Sequence, residues 1–300
     1  MELTIRENDF LNSFDEVWTK PILNKNKLSL FVLKINANEF DYDLLERNLL
    51  EPMINYSVSR LVRKKYKNKP GELSKKARKK FKESSDNTGE LGELLLYCFL
   101  ETHLKAPKIL SKLELKTSTK MYVNGSDGVH LLKLDNGNFQ LIFGESKMYE
   151  KISDALEKAF ESIKEFKEEK NKLGDSKSGI KYEKALISDN LNKETFSNEE
   201  KKFIESIIYP KKENEFEVDD AFGIFIGYQM KITEKEKMLE NDAFKIRIKE
   251  KIDKQISQKI NVIEEKIKEK GLTGHNFYIY VVPFTEIDKN RIEVLDEVLS

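Results

Sequence analysis

Two acidic residues and one lysine lie at the ends of two neighbouring apolar segments. Asp127 precedes the apolar run 129–134, and Glu145 and Lys147 follow the run 139–143. The Asp-Asn-Gly-Asn sequence between these runs is a strong turn signal, so the segment predicts a β-hairpin. Side chains alternate along a strand, which places Glu145 and Lys147 on one face. Carboxylates beside an ammonium group are suited to binding a divalent cation and to stabilising a phosphodiester during hydrolysis.

The length of the turn decides whether Asp127 joins that face. A three-residue loop at 136–138 would pair Asp127 with Lys147 and place it diagonal to Glu145, within reach of one shared ion. A two-residue loop without a bulge would turn Asp127 to the opposite face, and the site would not exist. We expect the first arrangement.

A helix upstream of the hairpin supplies a fourth candidate. It begins with a potential N-cap, Thr88, and its apolar positions cover most of the circumference, which predicts a buried helix. Glu90 and Glu93 interrupt that pattern, and a buried acid needs a partner. Interaction with the helix dipole in the first turn explains Glu90 better than Glu93. We therefore favour Glu93 as the site residue, and Glu90 is the second candidate.

The order helix, strand, strand with Asp, strand with Glu-x-Lys, helix is the one required for phosphodiester cleavage of the PD-(D/E)xK type. Mg²⁺ or Mn²⁺ prefers oxygen ligands, which makes Glu93, Asp127 and Glu145 candidate metal ligands. The ion can lower the pKa of a bound water, and Lys147 can orient that water or help deprotonate it. The alternative is a purely structural salt bridge between Asp127 and Lys147.

Composition bounds the class of protein. Three hundred residues with 39% apolar content can form one large domain or two modest ones. The 53 basic and 53 acidic residues cancel, which argues against a simple polycation. A single cysteine, Cys98, fits a reducing cytoplasm. No apolar run approaches the length of a membrane span, and the first residues do not resemble a signal peptide, so we expect a cytoplasmic protein without membrane contact.

Other chemistries find little support. The three histidines are scattered and do not have the spacing of a zinc site. His130 falls on the opposite face from Asp127 in a regular strand, so we expect it to have a packing or surface role. No phosphate-binding loop of the ATPase type is present.

The segment 60–82 has the strongest charge asymmetry in the chain. It contains twelve lysines and arginines and one acidic residue, Glu72. Its second part, 74–82, predicts a basic helix. A phosphate-contacting arm and a solvated linker are both compatible with this pattern.

The periodicity of the remaining chain predicts alternating helices and strands. The predicted elements are irregular structure at 1–27, strands at 28–35, 109–117, 184–188, 222–229 and 276–284, and helices at 41–66 (divided or kinked at Pro52), 152–166, 232–270 and 286–299, with a break near 174–179. This order predicts an α/β (α+β) protein with a PD-(D/E)xK restriction-endonuclease-like core, in which helices flank a mixed central sheet. We expect an N-terminal strand and helix extension at 1–84 and the core at 85–300.

Four motifs carry a resemblance to a known family. They are Gly92-Glu-Leu-Leu-Leu-Tyr97, Ala106-Pro-Lys-Ile-Leu-Ser-Lys-Leu-Glu-Leu-Lys-Thr117, Gly125-Ser-Asp-Gly-Val-His130 and Gly144-Glu-Ser-Lys147. These motifs resemble the HamA family, the nuclease subunit of Hachiman anti-phage defence. The resemblance implies that Glu93, Asp127, Glu145 and Lys147 form the active site. It also implies a partner, the superfamily 2 helicase HamB, which restrains the nuclease until the helicase engages DNA.

The sequence therefore predicts a Mg²⁺-dependent deoxyribonuclease that works with a helicase in prokaryotic defence. Two alternatives stay open. One is a non-catalytic adaptor that binds the helicase or nucleic acid, and the other is an RNA-cleaving nuclease of the same fold.

Overall fold

The computed structural model describes residues 1–5, 9–83, 89–111, 113, 125–168, 179–191 and 197–300. In these residues a mixed sheet is flanked by helices, as the sequence predicted. The strands are β1 (Phe14–Ile22), β2 (Asn26–Leu33), β3 (Ile35–Asn36), β4 (Glu39–Phe40), β5 (Lys108–Ser111), β6 (Gly128–Lys133), β7 (Phe139–Tyr149), β8 (Val218–Gln229) and β9 (Asn276–Phe284). The helices are α1 (Asp9–Asn12), α2 (Tyr42–Ser57), α3 (Arg60–Lys65), α4 (Pro70–Glu83), α5 (Glu90–Thr102), α6 (Ile152–Glu168), α7 (Gly179–Asn190), α8 (Asn198–Ile208), α9 (Glu234–Lys237), α10 (Asn241–Ser257), α11 (Ile260–Glu269) and α12 (Ile287–Leu299).

Within the described residues, the main sheet has seven strands in the order β1-β2-β9-β8-β7-β6-β5. The four central strands, β2, β9, β8 and β7, run parallel, and an antiparallel pairing closes each side. β1 and β2 lie in the same sheet as the strands of the predicted core, and the proposed boundary near residue 84 stays a prediction. None of the described helices is both long and apolar enough to cross a membrane.

Helix α5 is buried along its whole length against one face of β7 and β8. Glycines on both surfaces allow this close approach. A Cβ atom added to Gly223 would lie 3.0 Å from Cδ1 of Leu100, and one added to Gly92 would lie 3.2 Å from Cβ of Ser146. The opposite face of the sheet packs on α6, where Phe166 contacts Phe143. The close approach of α5 places its first turns beside the β6–β7 hairpin.

The sequence suggested that residues 1–27 are irregular, and this prediction is wrong. They contain α1, β1 and the start of β2. β1 pairs antiparallel with β2, and the register shifts between Glu16 and Trp18. This irregularity interrupts the period of two, so the strand is not visible in the sequence pattern.

Two other segments differ from the prediction. Residues 184–188, predicted as a strand, belong to α7, where Ile180, Glu183 and Ile187 are buried at helical spacing. The segment 232–270 forms three helices, α9 to α11, separated by two short breaks, and not one long helix. The apolar residues keep a helical period on each side of the breaks, so the sequence pattern did not reveal them.

The helix predicted at 41–66 is divided, but not at Pro52. Pro52 lies inside α2, and the break falls at residues 58–59, where the Ser59 side chain accepts a hydrogen bond from the N–H of Val62 and begins α3. The basic helix predicted at 74–82 is confirmed as part of α4. Helix α5 begins at Glu90. Three predicted features lie at least partly outside the described residues: the N-cap Thr88, residues 112 and 114–117 of the predicted strand, and most of the break at 174–179.

We predict that Gly223→Val destabilises the protein by about 1–3 kcal/mol, because the new side chain would overpack the interface with Leu100. The measurement is the free energy of unfolding in a urea titration. Gly71→Val is the control, because a Cβ atom at Gly71 meets no neighbour within 4 Å. An equal loss of stability in both variants would contradict the close packing of α5 on the sheet.

Candidate functional site

The β6–β7 hairpin has a three-residue loop, but the loop is displaced from the predicted position. The N–H of Leu134 donates to the carbonyl of Asn138 (2.8 Å), and Gly137 adopts a left-handed conformation with φ of +87°. Val129 therefore pairs with Phe143, and the loop comprises residues 135–137. The predicted pairing of residues 127 and 147 is wrong, because the glycine that tolerates positive φ takes the last position of the loop.

Regular pairing ends where β6 begins. The N–H of Asp127 donates to the carbonyl of Gly144 (2.8 Å), one residue out of step with the register of the hairpin. β7 continues to Tyr149 beside β8, whereas no strand among the described residues pairs with its other edge from Glu145 onwards. There the backbone N–H and the hydroxyl of Ser146 both donate to Oδ2 of Asp127, each at 2.7 Å. The Asp127 carboxylate thus binds the strand edge that β6 leaves.

Glu93 and Asp127 come together at one small cavity. Both residues are 7% exposed, and both line the cavity with Tyr56, Lys108 and His130 among other residues. The hydroxyl of Tyr56 donates to Oε2 of Glu93 at 2.9 Å. The structure therefore places the predicted helix acid and the predicted strand acid on the same side of the sheet, where α5 packs.

Glu145 and Lys147 form an ion pair, with Nζ of Lys147 2.5 Å from Oε1 of Glu145. Ser146 faces α5, so regular alternation along β7 places this pair on the other face of the sheet. The Asp127 carboxylate nevertheless lies close enough to attract the Lys147 ammonium group. The expectation that Asp127 shares the face of Glu145 and Lys147 is therefore wrong, and the two halves of the predicted site approach each other only at the edge of β7.

Burial lowers the pKa of Lys147, but the carboxylates of Glu145 and Asp127 outweigh burial and hold that pKa above its ordinary value. Lys147 is therefore an ammonium ion at neutral pH. A protonated lysine is suited to stabilising negative charge or orienting a water molecule rather than to accepting a proton.

The predicted residues are neighbours without forming one cluster of three carboxylates. Within the described residues, no group of three or more histidine, cysteine, aspartate or glutamate side chains is arranged to hold a metal ion. Glu93 and Asp127 share a cavity, and Glu145 is bound to Lys147. Oxygen donors of this kind fit Mg²⁺, which commonly uses one or two carboxylates and keeps several waters. The role of these residues as metal ligands and catalysts stays a prediction.

Sequence reasoning missed the residues that hold the predicted ones in place. Ser146 binds Asp127 and is the unassigned middle residue of Glu-x-Lys. Lys108 is 1% exposed, and its Nζ donates to the carbonyls of Asn55 (3.0 Å) and Tyr56 (3.4 Å) at the end of α2. A lysine is rarely buried, so no signal in the sequence pointed to Lys108.

His130 has the packing role expected from the sequence, but it lines the same cavity as Asp127, so its predicted position on the opposite face is wrong. It is buried, and its Nδ1 lies 2.8 Å from the carbonyl oxygen of Ala106. Burial lowers the pKa of His130 to about 4, so the ring is neutral near pH 7. It lines the cavity without adding charge.

We predict that Glu145→Gln lowers the pKa of Lys147. Burial of the ammonium group remains in this variant, whereas the closest compensating charge is removed. The measurement is an NMR titration of the lysine ε-carbons. The matched control is Lys158, an exposed residue paired with Glu161, whose pKa should not change. An unchanged pKa at Lys147 would show that the Glu145 contact does not persist in solution.

The comparisons with known proteins place the chain in a family. The HamA family model matches residues 8–298 of the 300, which is nearly the whole chain. None of the curated proteins compared with the chain matches it. On this family match, which spans the four motif segments, the chain belongs to the HamA family and is a component of Hachiman anti-phage defence.

Proposed function

We propose that this chain is a divalent-metal-dependent deoxyribonuclease that cleaves DNA phosphodiester bonds. The observation that carries the proposal is the position of Asp127, which shares a cavity with Glu93 and also attracts Lys147. Burying two acids beside a cation costs free energy, and a structural role alone does not explain that cost. Their order along the chain and the family match agree with a nuclease of the PD-(D/E)xK type.

The acids would hold the metal. Glu93 and Asp127 would bind Mg²⁺ or Mn²⁺ from the shared cavity. Glu145 would be the third carboxylate and would have to reach the ion across the edge of β7, because it lies on the other face of the sheet. When bound, such an ion lowers the pKa of a water molecule and neutralises charge on the phosphate. Tyr56 orients Glu93 through its 2.9 Å hydrogen bond, and Ser146 orients Asp127 through two bonds of 2.7 Å.

Lys147 would stabilise the charge that develops on the scissile phosphate. Its raised pKa keeps it protonated, and Glu145 fixes its position. An open cleft of about 730 Å³ lies beside it and is also lined by Lys151 and Arg291. Phosphate groups of a polynucleotide could enter this cleft, because arginine and lysine are the usual phosphate ligands.

The partner would be a superfamily 2 helicase, as the family resemblance implies. In this proposal the helicase restrains the nuclease and releases it when the helicase engages DNA. Broad degradation of phage and host DNA would then act as an abortive defence.

We predict that Glu93→Gln, Asp127→Asn, Glu145→Gln and Lys147→Met each reduce the nicking of supercoiled plasmid by about 100-fold or more. The measurement uses the full chain, alone and with its helicase, in Mg²⁺, Mn²⁺ or EDTA. The matched control changes Lys158 and Glu161, an exposed pair on α6, to Met and Gln. The control should nick like the unaltered protein, and EDTA should abolish nicking.

The outcomes separate the three readings. Loss of nicking in the site variants alone supports the deoxyribonuclease. Metal-dependent cleavage of RNA without cleavage of plasmid would support the RNA-cleaving alternative. Helicase binding without cleavage of either nucleic acid, under all metal conditions, would support the adaptor.

Metal binding has a separate readout. We predict that Asp127→Asn and Glu93→Gln weaken the binding of Mn²⁺ at least tenfold, measured by the fraction of free Mn²⁺ in electron paramagnetic resonance spectra. Each change removes a negative charge and an anionic oxygen donor from the shared cavity. Glu161→Gln removes the same charge from an exposed position and should leave binding unchanged. Equal Mn²⁺ affinity in all variants would contradict a cation site at the cavity.

A further inference from the structure

The basic segment 60–82 divides into inward arginines and outward lysines. The side chain of Arg60 donates to the carbonyl of Glu2 (2.8 Å), and that of Arg63 donates to Oδ1 of Asn55 (3.0 Å). Arg78 donates to the carbonyl oxygen of Ser300. All three arginines of the segment therefore bind groups of the folded chain and stabilise it.

Most lysines of the same segment are exposed to solvent, whereas Lys80 is half-buried. The exposed ones include Lys64, Lys65, Lys67, Lys75 and Lys76. Lys65 and Lys76 approach the ring of Tyr66 from α3 and α4, with Nζ 5.9 and 5.6 Å from the ring centre. The two helices thus form one continuous cationic surface, which we call the lysine face.

The lysine face is fixed to the protein and is not a loose linker. Ala77 and Phe81, one turn apart on α4, are fully buried. The ring of Phe81 lies 6.2 Å from that of Tyr56, whose hydroxyl binds Glu93. Three packed side chains therefore connect the lysine face to the candidate cavity.

The dimensions of this surface match a phosphate backbone. A helix of 14 residues such as α4 is about 21 Å long. Duplex DNA carries about one negative charge per 1.7 Å of its axis, so several phosphates fit along this length. Lysine is a hydrated, mobile point charge, which suits contacts that do not depend on sequence. The chain is neutral overall, so this field is local and comes from the segregation of charge.

We propose that the lysine face formed by α3 and α4 binds the phosphate backbone of duplex DNA beside the candidate cavity. The inference rests on the proposed function, because it assigns the nuclease's own substrate to this surface. The lysine face holds DNA in any sequence, and the cavity carries the chemistry.

The test measures binding without cleavage. The full chain is titrated against a fluorescent DNA duplex in EDTA at several salt concentrations, and anisotropy gives the affinity. One variant changes Lys64, Lys67, Lys75 and Lys76 to Gln. The control variant changes four exposed lysines elsewhere, Lys211, Lys235, Lys254 and Lys268, to Gln, so the two variants have the same net charge.

We expect the first variant to bind at least tenfold more weakly. The slope of the logarithm of its binding constant against the logarithm of salt concentration should become shallower by about 0.9 for each phosphate contact that is lost. The control should bind as the unaltered chain does. Circular dichroism confirms that each variant is folded.

Several results would overturn the proposal. These are no binding of duplex DNA by the unaltered chain, equal weakening in both quadruple variants, or binding restricted to RNA. Intact DNA binding in a chain that never nicks plasmid would refute the nuclease activity and leave the lysine face supported. Normal nicking with unchanged DNA affinity in the first variant would refute the lysine face and leave the nuclease supported.

Discussion

The arrangement of the candidate site depends on how the open edge of β7 is satisfied. A buried backbone N–H must find an acceptor, because leaving one unpaired costs about 1–3 kcal/mol. β6 departs from β7 at Gly128, and the carboxylate of Asp127 accepts the N–H and the hydroxyl of Ser146 in place of a strand carbonyl. The same carboxylate lines the cavity of Glu93 and attracts Lys147. One acid therefore completes the sheet and connects both halves of the site.

The second constraint is the close contact between α5 and the sheet. Glycines at positions 92 and 223 allow it, and a fully buried helix can contain an acid only if that acid has partners. Glu93 accepts a hydrogen bond from the hydroxyl of Tyr56, and the carbonyl of Tyr56 accepts one from the buried Nζ of Lys108. Residues from α2, α5 and β5 thus fix one another. The stability of the core and the geometry of the acids have a common origin.

Charge is separated in this neutral chain according to the chemistry of each side chain. The arginines of the segment 60–82 bind carbonyl and amide oxygens of the protein, which their rigid forked donors suit. The exposed lysines of the same segment remain hydrated. Near the site, Lys147 is mostly buried and paired with Glu145, so the fold fixes the position of its charge. A balanced sum of charges therefore coexists with strong local fields, and composition alone does not reveal them.

The sequence by itself determined the hairpin, the buried helix with Glu93, the basic helix and the strands at 222–229 and 276–284, because their periodicity and turn residues are local signals. It also placed Glu145 and Lys147 on one face. Only the tertiary structure decided the register, the bulge-like end of β6 and the side of the sheet on which Asp127 lies. Those features depend on Gly137 closing the loop and on contacts with α5, which are distant in sequence. Burial of Lys108 was equally beyond the sequence, because its partners come from the end of α2.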